Sequence, residues 1–295
     1  MNTHPHSHNN QSSKALLTVF LINLSFTVFE LVGGYWTNSV AILSDAVHDL
    51  GDSLAIGAAY YLSRVAQRAA DSRYSYGYSR YNVLGAMINS VVLMAGSIFV
   101  LREAIDRLIH PADVDAPGML LFAILGIAVN GFAAYRLRDA SSVNEKVVSL
   151  HLMEDVLGWV AVLIGAVTMV FIEVPRLDPI LSIAITTYIV FGVVKRLRET
   201  LLLLLQRVPK GVDLKELERQ LADIDGVESL HETHTWSLDG ETHVFSTHLV
   251  VAPEISLEQI KSIKLASREV LRGYPFSSHT VEVEFRGEED HNLLD

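Results

Sequence analysis

Six stretches of this chain are apolar over roughly the 20 residues that a helix needs to cross a hydrocarbon core of about 30 Å. They are residues 15–36, 40–62, 82–101, 118–135, 147–172 and 178–194. The breaks between them are polar or rich in proline: Thr37-Asn38-Ser39, the tyrosine-rich stretch Asp71 to Tyr81, Pro111 to Pro117, Asp139 to Lys146, and Pro175 to Pro179. Each break suits a loop. The expected fold is therefore a membrane all-α bundle of six transmembrane helices, followed by something else, because 19% charged residues are too many for a chain wholly embedded in lipid.

The basic residues orient the bundle. Lys14, Arg64, Arg68, Arg73, Arg80, Arg136, Arg138, Lys146, Lys195, Arg196 and Arg198 all fall on one side of the six spans, and only Arg102, Arg107 and Arg176 on the other. Basic residues near helix ends stay cytoplasmic, so both termini are expected in the cytoplasm.

Acidity is concentrated in the last third. From residue 209 onward there are 8 Lys and Arg against 18 Asp and Glu, while residues 1–208 are nearly balanced at 15 against 16. Such a tail repels nucleic acid and anionic lipid and gathers cations, so no nucleic-acid partner is expected. The chain has no cysteine. Any metal site must then use His, Asp, Glu or backbone oxygen. Residues 1–10 lack the basic start and apolar core of a signal peptide, and His4, His6 and His8 alternate in them. A disordered polar terminus and a loose metal-collecting tail both fit that leader.

Past Pro209 the long apolar runs give way to short alternating segments. Asp213 with Glu216 reads as a helix start, and Leu214, Leu217, Leu221 and Ile224 recur at helical spacing. Residues 227–237 and 242–251 read as strands joined at Asp239-Gly240, a hairpin signal. Ser256 with Gln259 starts a second helix that ends near Gly273, and Val281, Val283 and Phe285 alternate in a last strand. The order α-β-β-α-β describes a C-terminal α+β domain with two helices on one side of a three-stranded sheet. The expected division is a disordered His-containing tail at 1–14, the six-helix transmembrane domain at 15–208, a cytoplasmic domain at 209–287, and an acidic tail at 288–295.

Ionisable residues inside two of the apolar stretches carry the chemistry. The second contains Asp45, His48, Asp49 and Asp52, and the fifth His151, Glu154 and Asp155. Each such group costs at least about 2.5 kcal/mol to insert, which argues for a site. Both helices carry His-x-x-x-Asp: His48 with Asp52, and His151 with Asp155. The two members of each pair project from one helix face. Two such faces offer two imidazole nitrogens and two carboxylate oxygens, the closed tetrahedral shell that Zn2+ prefers. A buried proton-wired pair without metal is the competing reading, and either Asp45 or Asp49 could add a ligand.

Taken together, the run Ser39-Val40-Ala41-Ile42-Leu43-Ser44-Asp45-Ala46-Val47-His48-Asp49-Leu50-Gly51-Asp52, the segment around His151 and Asp155, Asp178-Pro179-Ile180, and His231-Glu232-Thr233-His234-Thr235-Trp236 resemble the cation diffusion facilitator family of zinc transporters, in particular its bacterial zinc/cobalt/cadmium members. The resemblance covers nearly the whole chain. It implies that His48, Asp52, His151 and Asp155 form the transport site, and that His48 marks the zinc-preferring version of the pattern. It further implies a homodimer whose cytoplasmic domains resemble metallochaperones, of ferredoxin-like fold, and bind regulatory zinc at His231, His248 and Glu282, with Glu284 and His234 nearby. One stretch departs from the family. Many relatives build a further zinc site after the second span from an acid and two histidines, whereas this chain reads Asp71-Ser72-Arg73-Tyr74-Ser75-Tyr76-Gly77-Tyr78, with tyrosines for both histidines. Asp71 alone would not hold zinc.

The function expected on this basis is zinc efflux from the cytoplasm across the bacterial inner membrane by Zn2+/H+ antiport, with cadmium or other divalent cations as further cargo. A membrane-embedded zinc protease is the rival from another class. It fits less well because a catalytic zinc keeps an open position, whereas four ligands here close the shell. A passive channel would differ in ignoring the pH gradient.

Overall fold

The computed structural model describes residues 7–137, 143–172 and 174–287; within its helices the side chains of 7–20, 22, 55, 56, 59, 60, 63, 64, 133, 136, 137 and 143–151 lie outside the described part. Six long helices come first: α1 (Ser7–Thr37), α2 (Val40–Ala66), α3 (Arg80–Ile109), α4 (Ala116–Leu137), α5 (Val143–Phe171) and α6 (Leu177–Leu204). By length and composition α3, the part Leu152–Phe171 of α5, and α6 can cross a membrane, and Ala116–Phe132 of α4 is a shorter apolar stretch. Helix α1 starts at Ser7. No proline or glycine lies between His8 and Gly33, and a helix once nucleated by the apolar run extends cheaply through polar residues.

The chain divides into two compact units, the first made of the residues up to Arg64 with Leu84–Leu197 and the second of Val65–Val83 with the chain from Arg198 onward. In the first unit a core of Ala41 and Ile42 from α2, Met119, Phe122 and Ala123 from α4, and Trp159, Val162 and Ala166 from α5 locks three helices together. A side chain on Gly126 would run into the Trp159 ring, so the glycine is what lets α4 approach α5. The turn between α1 and α2 places Asn38 in the left-handed region at φ 54°, which asparagine tolerates, and Ser39 Oγ accepts from Ile42 N at 3.2 Å as the cap of α2.

In the second unit, α7 (Leu214–Ala222) and α8 (Leu257–Arg272) cover one face of a sheet built from β1 (Val227–Ser237), β2 (His243–Val251) and β3 (Phe276–Phe285). Asp213 caps α7, and Ser256 with Gln259 forms a reciprocal capping box on α8. The strand order is β1-β2-β3, with β1 antiparallel to β2 and β3 parallel to it. A parallel neighbour needs a crossover, and α8 supplies it. Phe245, Leu249 and Val251 of β2 pack with Leu217, Leu221, Ile263 and Leu271 of the helices. By alternation His248 and Glu284 fall on the face away from that core.

Candidate functional site

Helix α2 is held at its start by α6. Asp178, fully buried, accepts from Ser39 Oγ at 2.5 Å, Val40 N at 2.8 Å and Ala41 N at 3.3 Å. A carboxylate on the exposed N–H groups of a helix start satisfies donors that have no partner within the helix and meets the positive end of its dipole. Further along the same pair of helices, Ser44 Oγ and Thr186 Oγ lie 2.6 Å apart.

Two turns beyond its cap, α2 presents the first His-x-x-x-Asp pair, with His48 Nε2 3.6 Å from Asp52 Oδ2. Asp45 and Asp49 are buried on the same helix. Helix α5 places Asp155 in a buried position and packs against α2 one turn later, where a side chain on Gly158 would sit 3.6 Å from Asp45 Oδ1. His151 stands one turn before Asp155 on α5, and its side chain lies outside the described residues. Of the leader's histidines, His4 and His6 lie outside the described residues, and so does the side chain of His8.

Helix α1 contributes polar groups that the motif search passed over. Asn23 Nδ2 donates to Asp49 O at 3.3 Å and to Ser53 Oγ at 3.1 Å, Thr27 Oγ1 lies 3.4 Å from Ser53 Oγ, and Glu30 is fully buried beside Asp49. The signal was present in the sequence as a glutamate in an apolar span, the costly placement that singled out α2 and α5.

The sheet of the second unit gathers a complete set of ligand atoms. His231, His248 and Glu284 bring one donor atom each to within 4.8 Å of one another, and among the described residues no other trio does so. Register explains it: His231 pairs with His248 across β1 and β2, and His248 pairs with Glu282 across β2 and β3, two residues from Glu284 on the same face. Glu284 bonds both imidazoles, at 2.9 Å to His231 Nε2 and 2.6 Å to His248 Nδ1. Burial pushes the Glu284 carboxyl up, but the hydrogen bonds and charge of His248 and His231 outweigh it and hold the group below its ordinary value. Glu282 Oε2 and Glu232 Oε2 stand 3.7 and 3.8 Å from His248 Nε2. Thus Glu284, expected only as a neighbour, bridges the two histidines, while Glu282 is more exposed and reaches one of them. His234 is exposed on β1.

Asp71 is committed elsewhere. Its Oδ1 accepts from Arg73 N and Tyr74 N at 2.8 Å each, and its Oδ2 from Tyr78 Oη at 2.7 Å, so the carboxylate closes a turn instead of facing a metal.

Residues 16–205 match the family model described as the cation efflux transmembrane domain, and residues 209–285 match the cation efflux protein, cytoplasmic domain. The chain belongs to the cation efflux family. Its relatives in that family include a "Zinc transporter ZitB" of Pectobacterium atrosepticum, 31% identical over 98% of this chain and 91% of the relative. The "Metal cation efflux system protein CzcD" of Cupriavidus metallidurans is 32% identical over 86% and 82%. A "Cadmium, cobalt and zinc/H(+)-K(+) antiporter" of Bacillus velezensis is 27% identical over 99% and 95%. As a cation efflux protein the chain is an integral membrane protein, and the ionisable residues of α2 and α5 lie within its transmembrane domain.

Proposed function

We propose that this protein exports Zn2+ from the cytoplasm by secondary antiport against protons, working as a homodimer in the bacterial inner membrane with both termini cytoplasmic. Helices α1 to α6 are the six spans. Helix α2 is 27 residues long, about 40 Å at 1.5 Å per residue, so length is no obstacle, and its Asp45 and Asp49 are buried in the bundle.

The observation that carries this reading is the His48–Asp52 pair on one face of α2, with the buried Asp155 on α5 packed against the same helix. His48, Asp52, His151 and Asp155 form the transport site. Metal binds only deprotonated ligands, so zinc and protons compete for these four groups. Imidazole titrates near neutral pH, and a proton gradient therefore drives release on the acidic side. Alternating access around this site moves the ion across. His231, His248 and Glu284, with Glu282 in reach, hold regulatory zinc in the cytoplasmic domain. The relatives are named as transporters, and the protease alternative finds no support among them. The test is zinc flux into vesicles holding the purified protein, with and without an imposed pH gradient. Flux that ignores the gradient would indicate a channel, and peptide cleavage without flux an enzyme.

A further inference from the structure

The turn that joins α1 to α2 is tied down by three other parts of the first unit. Asp178 of α6 accepts from Ser39 Oγ, Val40 N and Ala41 N. Arg107 of α3, braced by Glu103 at 2.8 Å, donates from Nη1 to Asn38 O at 2.6 Å. The connection from α3 to α4 adds two bonds more: Asn38 Nδ2 donates to Asp113 O at 2.8 Å, and Asp115 N to Thr37 O at 2.9 Å. Asp178 and Arg107 also attract each other by charge.

Beneath this knot lies the apolar layer of Ile42, Met119, Phe122, Trp159 and Val162. Phe26 of α1 meets Trp159 edge-on at 6.3 Å, and Phe29 lies 4.9 Å from Phe122. Ile42 precedes His48 on α2 by about 9 Å of helix, and Trp159 follows Asp155 on α5 by about 6 Å. In the topology proposed above α2 runs inward and α5 outward, so both residues stand on the outer side of the candidate ligands. The layer and the knot together close that end.

The knot is built to open. The backbone donors that Asp178 holds are the first N–H groups of α2, which have no acceptor inside the helix. Water replaces the carboxylate at small cost where the turn borders the outer surface, and Asn38 beside it is only half-buried. None of these bonds belongs to a helix ladder, so all of them part with α1 and α2 intact.

We propose that Asp178 and Arg107 are the latch of an outer gate. Closed, they hold the α1–α2 turn over the apolar layer, and zinc reaches His48 and Asp52 from the cytoplasm alone. Released, they let the layer part, and zinc leaves outward. Both are positioning residues that touch neither the ion nor its ligands. The proposal rests on the reading of α1 to α6 as six spans with both termini cytoplasmic. Removing a bond that exists only in the closed state shifts the population toward the open one.

The test uses the absence of native cysteine. Val162→Cys is nearly isosteric and places a thiol in the apolar layer. Right-side-out vesicles holding the full-length protein are treated from outside with a membrane-impermeant maleimide. With the latch intact the reaction is expected to be slow. Adding Asp178→Asn or Arg107→Gln should speed it by about tenfold, the worth of one hydrogen bond to a charged group, and Ser39→Ala by less. Val193→Cys, buried with Leu93 and Ile189 away from the turn, should react no faster in the same variants. His110→Cys, exposed at the end of α3, should react from outside in all of them. Unchanged labelling of Val162→Cys in all three folded latch variants overturns the proposal. Equal acceleration at Val193→Cys also overturns it, because the bundle would then merely have loosened. His110→Cys that reacts only from the cytoplasmic side inverts the topology, and the outer gate falls with it. Labelling requires no transport, so the two readings fail separately. The expected labelling in a protein without pH-driven zinc flux would fault antiport alone, and normal flux with unchanged labelling would fault the latch alone.

Discussion

The cytoplasmic-domain sheet and the membrane helices assemble their candidate metal ligands in opposite ways. On the sheet, three strands in fixed register hold His231, His248 and Glu284 with their donor atoms within 4.8 Å of one another. In the membrane unit the candidate ligands are divided between α2 and α5, and His48 and Asp52 stand 3.6 Å apart within one helix. A hydrogen-bonded sheet cannot part its ligands without breaking ladders. Two helices can separate by sliding or tilting with their internal hydrogen bonds intact. The first arrangement suits an ion that stays, and the second one that must leave.

The contrast is broken or sharpened by substitution. Asp155→Ala removes one of the four proposed ligands from the divided site, and zinc flux in vesicles is expected to fall to background while size-exclusion chromatography still shows a dimer. Undiminished flux would remove α5 from the path and dissolve the comparison. His48→Asp exchanges a nitrogen donor for an oxygen donor, leaving a harder, more negative and slightly wider site. Zinc uptake should then be inhibited more strongly by cadmium or manganese than in the wild type; identical competition curves would make Asp45 or Asp49 the better ligand on α2.

His248→Ala acts on the other site and is expected to do less to transport. Zinc affinity of the cytoplasmic site should drop by at least about tenfold, about 1.4 kcal/mol, with flux slowed only in part. Calorimetry on zinc-loaded and zinc-free protein measures the first, vesicle uptake the second. Loss of all transport would mean that the sheet site lies on the route of the ion. The smallest effect concerns acid. The Glu284 carboxyl is held below its ordinary value by its histidine partners, so its contribution to stability is complete above the ordinary glutamate range and is lost as pH falls through the depressed value. In metal-free protein His248→Ala removes the larger of the two lowering partners and should move acid unfolding of the cytoplasmic domain to higher pH, as followed by circular dichroism.

Much of this was legible in the sequence because the signals were local. Apolar length gave the helices, and His-x-x-x-Asp spacing gave the His48–Asp52 contact. Asp239-Gly240 gave the hairpin, where Asp239 Oδ1 accepts from Glu241 N and Thr242 N. What escaped was relational. Asp178 looks like a helix opener, and its role as the cap of a different helix depends on α2 and α6 being neighbours. Glu30 looks like one stray charge until Asp49 is seen beside it. That β3 runs parallel to β2 follows from the path of α8, which periodicity does not encode. Glu284 and Glu282 share a face by alternation, so only the packing distinguishes the bridging carboxylate from the exposed one.

One residue in β1 shows how much chemistry a backbone angle can hold. Between His231 and His234 the strand spends one residue more than its partner, which goes from His248 to Ser246, and Glu232 within that bulge has φ 49°. A left-handed residue other than glycine costs on the order of 1 kcal/mol. Counted strictly by twos back from Trp236, β1 would set Glu232 opposite His248 and turn His231 into the apolar layer. The cluster would then be one imidazole among carboxylates, a set of donors for a harder ion. The kink restores the second imidazole and still leaves Glu232 3.8 Å from His248. The second imidazole of the proposed zinc site is thus written in the parity of a strand, and could be lost without altering a single candidate ligand.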